Sequence, residues 1–431
     1  MTLRLSRRNY LLGTAAFAAA AAMPRLSYGQ ELAYKGDLNM YSLVRTPPDQ
    51  ALADLIASFE VAHPGISIKT TSYPSDSFVA LLTAAQQAGE NIDVLFLNGQ
   101  DLRRYAVDGT ALELDGKLDT DRFRPGALKT AQVNGKTYGA PYSAISGFPL
   151  LTNAKVLEDK GLSVPQSYAD LLAIRDALQG SGIKTFTHAG KNIYLWPVWF
   201  FTTFGQTSGN RSNERTAEIL SGQAKFTDDD VVQGLDLVFQ FGRDQLLTQE
   251  VFSMDTPQAM TEFAAGRALF WMQHESALSQ LATQDAANFK LDVNLMPKLV
   301  DADVRSNYPG GPSAIVGVGA KADADRQAAA VAFIDWITTD EANAPIVKFN
   351  NGTVPANKAV SAAGGPVVDK LLGLSDGLVT YLDWNWPPEI TRVFQEGIQA
   401  GVAGQGSAQD VANTAQSTLE RLVSNGYTFQ A

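Results

Sequence analysis

Near the C-terminal end, the run Asp383-Trp384-Asn385-Trp386-Pro387-Pro388 sets two large rings beside a carboxylate and an amide. A hydroxyl-rich solute requires such a set: flat apolar faces for its C–H groups, and fixed donors and acceptors for its hydroxyls. In an extended segment Trp384 and Trp386 point the same way, so both border one cleft or both enter one core. A second aromatic block, Trp196, Trp199, Phe200 and Phe204, recurs at helical spacing. Such a stripe marks a helix core, with Trp196 standing equally well as a ligand face. Gly310-Gly311 brings either bare backbone N–H groups to a ligand or a turn of positive φ.

Catalytic chemistry is poorly served. His63, His188 and His274 are the three histidines, far apart and outside any HExxH spacing, so no metal centre and no cofactor are expected. No Gly-x-Ser-x-Gly elbow is present. Asp228-Asp229-Asp230 and Asp301-Ala302-Asp303 read as caps and solvated loops. With 45 acidic residues in the chain, chance pairing of carboxylates is easy. A secreted carbohydrate-active hydrolase or lyase, which needs two converging carboxylates, therefore stays the rival to a binding protein.

The elements that must position these groups follow from hydrophobic periodicity. Leu38 to Ser42 reads as a strand. Leu52, Leu55, Ile56 and Phe59 share one helix face, with Asp49 as its cap. His63-Pro64-Gly65 stops that helix, Ile66 to Lys69 alternates like a strand, and Phe78, Leu81 and Leu82 give a second helix. Ile92 to Leu97 is almost wholly apolar, as in a strand buried on both faces of a parallel sheet. This is a doubly wound α/β pattern, whose ligands sit beyond the carboxyl ends of the strands. Three loops are thereby singled out. The first carries Tyr41 and Arg45, the latter either a clamp for hydroxyls or an anion, or a surface residue opening a helix. The second carries Asp76, as contact or helix cap. The third, Asn98-Gly99-Gln100-Asp101, places Asn98 or Gln100 on the ligand, with Asp101 as contact or N-cap. Further on, Ser167 to Asp170 starts a helix with a capping box, 228–282 reads as mostly helical, Ala314 to Val318 is a strand, a helix covers 325–338, and 389–423 gives two more helices.

The chain has 431 residues, a formal charge of −11 and no cysteine. That length suggests two domains, and the acidity argues against a nucleic-acid partner. Ser6-Arg7-Arg8-Asn9-Tyr10-Leu11-Leu12 precedes an apolar stretch from Gly13 to Met23, too short for a comfortable membrane span. Residues 1–29 read as a removable signal peptide similar to a twin-arginine leader, with Tyr10 and Leu12 in place of that motif's usual Phe and Lys. Removal takes away Arg4, Arg7, Arg8 and Arg25 and leaves a more acidic product. Without cysteine no lipid-modified thiol can tether it, so a freely diffusing periplasmic monomer is expected.

Several short passages occur in a family's order. Phe59 to Ile66, Ile92 to Phe96, Gly135 to Tyr142 ("GKxYGxPY"), Asn153 to Leu172, Phe263 to Ala268 ("FxxGKA"), Gly310-Gly311, Ala329 to Thr338 and Val354-Pro355-Ala356 resemble the extracellular solute-binding proteins of ABC transporters, family 1, the sugar-binding type. Each is weak alone; their order over nearly the whole chain is specific. The resemblance implies a two-lobed α/β periplasmic-binding-protein fold, with several hinge crossings near 143–146, 309–313 and 350–354. On that template 31–142 and 312–350 form the N-terminal lobe, and 143–311 and 351–431 the C-terminal lobe. It implies a carbohydrate ligand, hinge closure and delivery to an ABC permease in the inner membrane. Carried over by position, Tyr142, Ser143 and Ser146 line the cleft floor or pack the hinge, and Lys191 and Asn192 take second-lobe contact positions. Gln273, His274 and Glu275 follow the "FxxGKA" turn. The family commonly has Gly and Pro-Trp there, so this departure bears on ligand type. One of Trp384 and Trp386 becomes a stacking face.

Overall fold

Alternating apolar residues bury Leu38 and Met40 within strand β1 (Gly36–Leu43), the centre of the first sheet. The structure is a computed structural model that describes residues 32–43, 50–73, 77–124, 127–128, 131–281, 289–311, 314–342, 354–360, 366–374 and 377–429. The helix Gln50–Ala62 follows β1 and seats Leu55 and Phe59 in the core, so β2 (Ile66–Tyr73) returns parallel to β1. The helix Phe78–Gln87 leads to β3 (Val94–Leu97), also parallel to β1. All four residues of β3 are buried: Val94 and Phe96 enter one core, Leu95 and Leu97 the other. A strand covered on both faces has no polar position to spare, which is why its sequence does not alternate.

After the helix Gly99–Val107, a small hairpin joins β4 (Gln132–Val133) to β5 (Lys136–Thr137), and β6 (Gly139–Pro141) follows. The next strands are β7 (Ser143–Gly147), β8 (Leu150–Asn153), β9 (Lys184–Thr187), β10 (Ala268–Met272) and β11 (Leu291–Asn294). Last come β12 (Tyr308–Gly311), β13 (Ile315–Val318), β14 (Val354–Pro355) and β15 (Leu378–Val379). The first sheet runs β2-β1-β3-β13-β6, with β13 antiparallel to both neighbours; the second runs β11-β8-β10-β9. Each sheet has its own core, giving two lobes.

Between them lies a third sheet, β14-β7-β12-β15. It collects in one place Ser143–Gly147, Tyr308–Gly311 and Val354–Pro355, which fall on or beside the expected hinge crossings. Gly310 faces Gly147 and Gly311 faces Ser146 across β7 and β12, while β14 adds to the other edge of β7. Residues 356–360 pack against the first sheet's side. Ala356 is buried in the first lobe's core, Phe123 bridges to Asn357, and Arg124 N–H donates to the Ala356 carbonyl at 2.8 Å. The backbone groups of 356–360 thus find partners in the first lobe rather than the second.

The second lobe is built around an aromatic core that includes Trp196, Trp199, Phe200 and Phe204 of the helix Trp196–Thr207. Its capping box at Ser167 and Asp170 forms as the spacing predicts: Asp170 N–H donates to Ser167 Oγ, and Ser167 N–H to the Asp170 carboxylate. Between 229 and 281 lie the helices Asp229–Arg243, Thr256–Ala264 and Ala277–Leu281, the last after β10, and the C-terminal helices are Pro388–Val402 and Ala408–Ser424. Among the described residues no helix is long and apolar enough to cross a membrane. The leader 1–29 lies outside them.

Candidate functional site

The second-lobe wall of the cleft starts at the end of β7. Gly147 N–H donates to the Glu275 carboxylate at 2.6 Å, and Glu275 N–H donates back to the Gly147 carbonyl at 2.9 Å. Glu275, in the turn after β10, is 4% exposed. It therefore serves the hinge strand instead of reaching for a ligand. A buried carboxylate needs such donors, and a backbone N–H is the nearest one available. Next to it His274 is half-buried, with Nδ1 at 2.9 Å from Ser276 Oγ and Nε2 at 3.5 Å from the Glu275 carboxylate. Gln273 is 5% exposed and accepts the His274 N–H at 2.8 Å.

An aromatic chain runs on from there. Phe148 meets the His274 ring edge-on at 5.3 Å and Tyr381 at 6.0 Å, and Tyr381 lies 4.8 Å from Trp384. Trp384 is partly exposed. Its ring lies over Gly311 at ordinary contact distance, 3.8 Å from where a Cβ on that glycine would stand. Gly311 belongs to β12 and its φ is not positive, so it forms no left-handed turn.

The two tryptophans do not share a face. Instead of an extended segment, Leu382–Trp384 is one 3-10 turn followed by a bend before Pro387, and that curvature sends the rings apart. Trp386 is 7% exposed and packs into the second-lobe core, 4.4 Å from Phe394 and 5.7 Å from Phe201. Trp196 is also core: fully buried, stacked on Phe252 at 5.3 Å, its indole N–H donated to the Gly190 carbonyl. Lys191 is exposed and Asn192 partly so, with no side-chain capping bond from Asn192.

From the first lobe, the helix Gly99–Val107 approaches the Leu382–Trp384 turn, with Cα atoms within 8 Å. This contact brings Asp101 and Asp383 onto facing elements of the two lobes. The N-cap of that helix is Asn98, which makes no side-chain capping bond. Asp101 thus stands in the first turn and is not the cap. Burial pushes the Asp101 carboxyl up to about 6, Arg104 opposing the shift, and burial pushes Asp383 up to about 7. Both carboxyls keep partial solvent contact.

Other first-lobe candidates serve structure. Tyr41 is 2% exposed and donates its hydroxyl to the Glu90 carboxylate. Tyr142 is 4% exposed, edge-on to Phe96 at 5.0 Å. Both point away from solvent because β1 and the segment after β6 are flanked by core on each side. Arg45 and Asp76 lie outside the described residues, as do the side chains of Gln100, Ser143 and Ser146. Phe148 and Tyr381 join the wall without having been singled out as contacts, and Asp383 had been noted only as part of the Trp384 run. Their only sequence signal was nearness to β7 and to the Trp384 run.

A family model for bacterial extracellular solute-binding proteins matches residues 54–371. The chain belongs to that family. This solute-binding protein is 24% identical over 188 residues to an uncharacterized ABC-transporter extracellular-binding protein of Pyrococcus horikoshii, covering 42% of this chain and 43% of that one. It is 26% identical over 145 residues to the multiple sugar-binding protein of Streptococcus mutans, covering 33% and 34%. The chain thus spans less than half the length of the curated relatives it matches. Among solved structures, a chitin oligosaccharide binding protein superposes with a TM-score of 0.77 at 21% identity, covering 91% of this chain and all of that one. At such identity the likeness is one of fold: two lobes around a cleft. Family and neighbours are binding proteins.

Proposed function

We propose that this solute-binding protein captures a carbohydrate between its lobes and delivers it to an ABC permease. One observation carries the reading: a partly exposed Trp384 ring over Gly311 of the hinge sheet, next in sequence to Asp383, on a turn that the first-lobe helix Gly99–Val107 approaches. A ring supplies the flat face for sugar C–H groups, and Asp101 and Asp383 accept from hydroxyls. Ligand held by Trp384 and by the first lobe favours the form in which both touch it. The names of the Streptococcus mutans relative and of the chitin oligosaccharide binding protein support the ligand class.

The protein acts as an exported, untethered monomer in the periplasm, its leader removed, and as a binder without turnover. Hydrolysis remains the competing activity, because both lobes carry carboxyls on the elements that approach each other. Thermal-shift screening of the purified protein against sugars, polyols, amino acids and phosphate tests the reading. A saccharide should give the strongest stabilisation. A stronger shift with a non-sugar overturns the ligand class, and release of reducing ends from a stabilising glycoside overturns the binding-only role.

A further inference from the structure

The first-lobe helix Gly99–Val107 meets the second lobe at two places. One is the turn Leu382–Trp384, with Cα atoms within 8 Å. The other is the short segment that follows the helix Ala408–Ser424. Gly426, at a φ of 94°, lets the chain reverse there. Its N–H donates to the Val423 carbonyl and the Tyr427 N–H to the Leu422 carbonyl, both at 3.0 Å, so the last turn of the helix is closed. The reversal lays Tyr427 and Phe429, with Leu422, against the aromatic core of the second lobe.

Tyr427 is therefore held at its ring by one lobe while its hydroxyl faces the other. Among the described residues, Arg103 of the helix Gly99–Val107 is the one charged side chain that acts on that hydroxyl. Burial raises the hydroxyl's pKa and the Arg103 charge opposes the rise. Arg103 is partly buried, whereas Arg104 beside it is exposed. A guanidinium and a phenol that both give up water gain from each other's company, the one as donor and the other as acceptor. We propose that Tyr427 and Arg103 form a clasp between the lobes, which holds the first-lobe helix against the Leu382–Trp384 turn and so sets how readily the cleft opens. The two side chains belong to different lobes, so opening breaks the contact and closing restores it. Its free energy falls on one side of that equilibrium alone, and a solute that needs both lobes binds more tightly for it. The clasp acts on the arrangement of the lobes whatever the solute, and in this it goes beyond the carbohydrate reading.

Small-angle X-ray scattering of the purified protein without solute reads the separation of the lobes, and isothermal titration with the tightest saccharide of the panel reads its consequence. Tyr427→Phe, Arg103→Gln and the double variant are compared with the parent, with thermal unfolding as the control for folding. Tyr427→Phe keeps the ring in the second-lobe core, so its melting temperature should stay near the parent's while its radius of gyration rises. Arg103→Gln should raise the radius likewise, and the double variant should add little to either single change. The saccharide should bind about threefold or more weakly to each variant. A parent-like radius of gyration in Tyr427→Phe, or two changes that simply add in the double variant, overturns the clasp. Tyr427→Phe decides even where Arg103→Gln fails to fold. Binding of no saccharide overturns the carbohydrate reading alone, because the scattering comparison needs no ligand.

Discussion

Glu275 and Gly147 hold each other across 128 positions of sequence, each donating its backbone N–H to the other residue. Gly147 ends the hinge strand β7, and Glu275 lies in the turn after β10 of the second lobe. The pair therefore fixes where the hinge leaves that lobe. Tyr308, on the neighbouring hinge strand, closes over Gly147: a Cβ there would come within 2.9 Å of the Tyr308 ring. Burial raises the Tyr308 hydroxyl's pKa, and the Glu275 charge adds to the shift.

Glu275→Ala leaves the Gly147 N–H buried without its charged acceptor, and should cost about 2–3 kcal/mol of stability by urea unfolding. Glu275→Gln keeps an acceptor oxygen and should cost less than half as much. Equal stability of both variants and the parent would show that the pair does not anchor the hinge.

Trp384 and Trp386 should separate cleanly on mutation. Trp386→Ala empties a packed site against Phe201 and Phe394, with an expected loss of about 3–5 kcal/mol. Trp384→Ala removes a partly exposed ring at the edge of that core and should cost clearly less than Trp386→Ala. Thermal unfolding of the two variants measures the contrast; a reversed order contradicts the assignment of platform and core.

Much of the fold was legible because its signals are local. The unbroken apolar run of β3, the face shared by Leu52, Leu55 and Phe59, and the Ser167–Asp170 capping box each depend on residues within a few positions. The expected hinge segments came from the family resemblance and not from any local pattern. The site was harder to read. Whether an aromatic lines a cleft or fills a core depends on what packs over it, and Trp196, Tyr41 and Trp386 are covered by residues distant in sequence. Glu275 looked like a ligand contact for the same reason: its partner Gly147 is invisible to spacing. The bend that parts Trp384 from Trp386 is likewise a tertiary outcome, since the same residues in an extended strand would share a side.

His188 gives the acid limb of stability a definite cause. It is 2% exposed, edge-on to Trp196 at 4.5 Å, and burial lowers its pKa to about 3. Above about pH 6.5 it is neutral in both states, and its contribution is constant. As pH falls from there towards 3, the unfolded chain binds a proton that the folded chain refuses, so stability drops by about 1.4 kcal/mol per pH unit. Asp101 and Asp383 titrate in the opposite sense, because their raised pKa values let the folded chain take up protons first. His188→Asn, which offers Trp199 an acceptor in place of Nδ1, isolates the term. The variant should lose less stability than the parent between pH 6.5 and 4, and an unchanged slope would remove His188 as the cause.

Asp93 ties the third strand to the returning helix Ala324–Trp336. It is fully buried, accepts from Arg326 through both carboxylate oxygens, and takes the Asn39 N–H at 2.7 Å. Arg326 also donates to the Asp37 carbonyl and to the Tyr34 hydroxyl. Asp93→Ala strands a part-buried guanidinium and should cost about 3–5 kcal/mol in equilibrium unfolding. A loss below about 1 kcal/mol would place the pair among the weak surface bridges.

Carbohydrate capture at Trp384 is tested most directly by isothermal titration of the purified chain with a saccharide panel, run in parallel on Trp384→Ala. At least one saccharide should bind one-to-one with a micromolar or tighter Kd, and the variant should weaken it by about tenfold or more. Binding of an amino acid or phosphate with no saccharide response, or saccharide binding that Trp384→Ala leaves unchanged, would contradict the site.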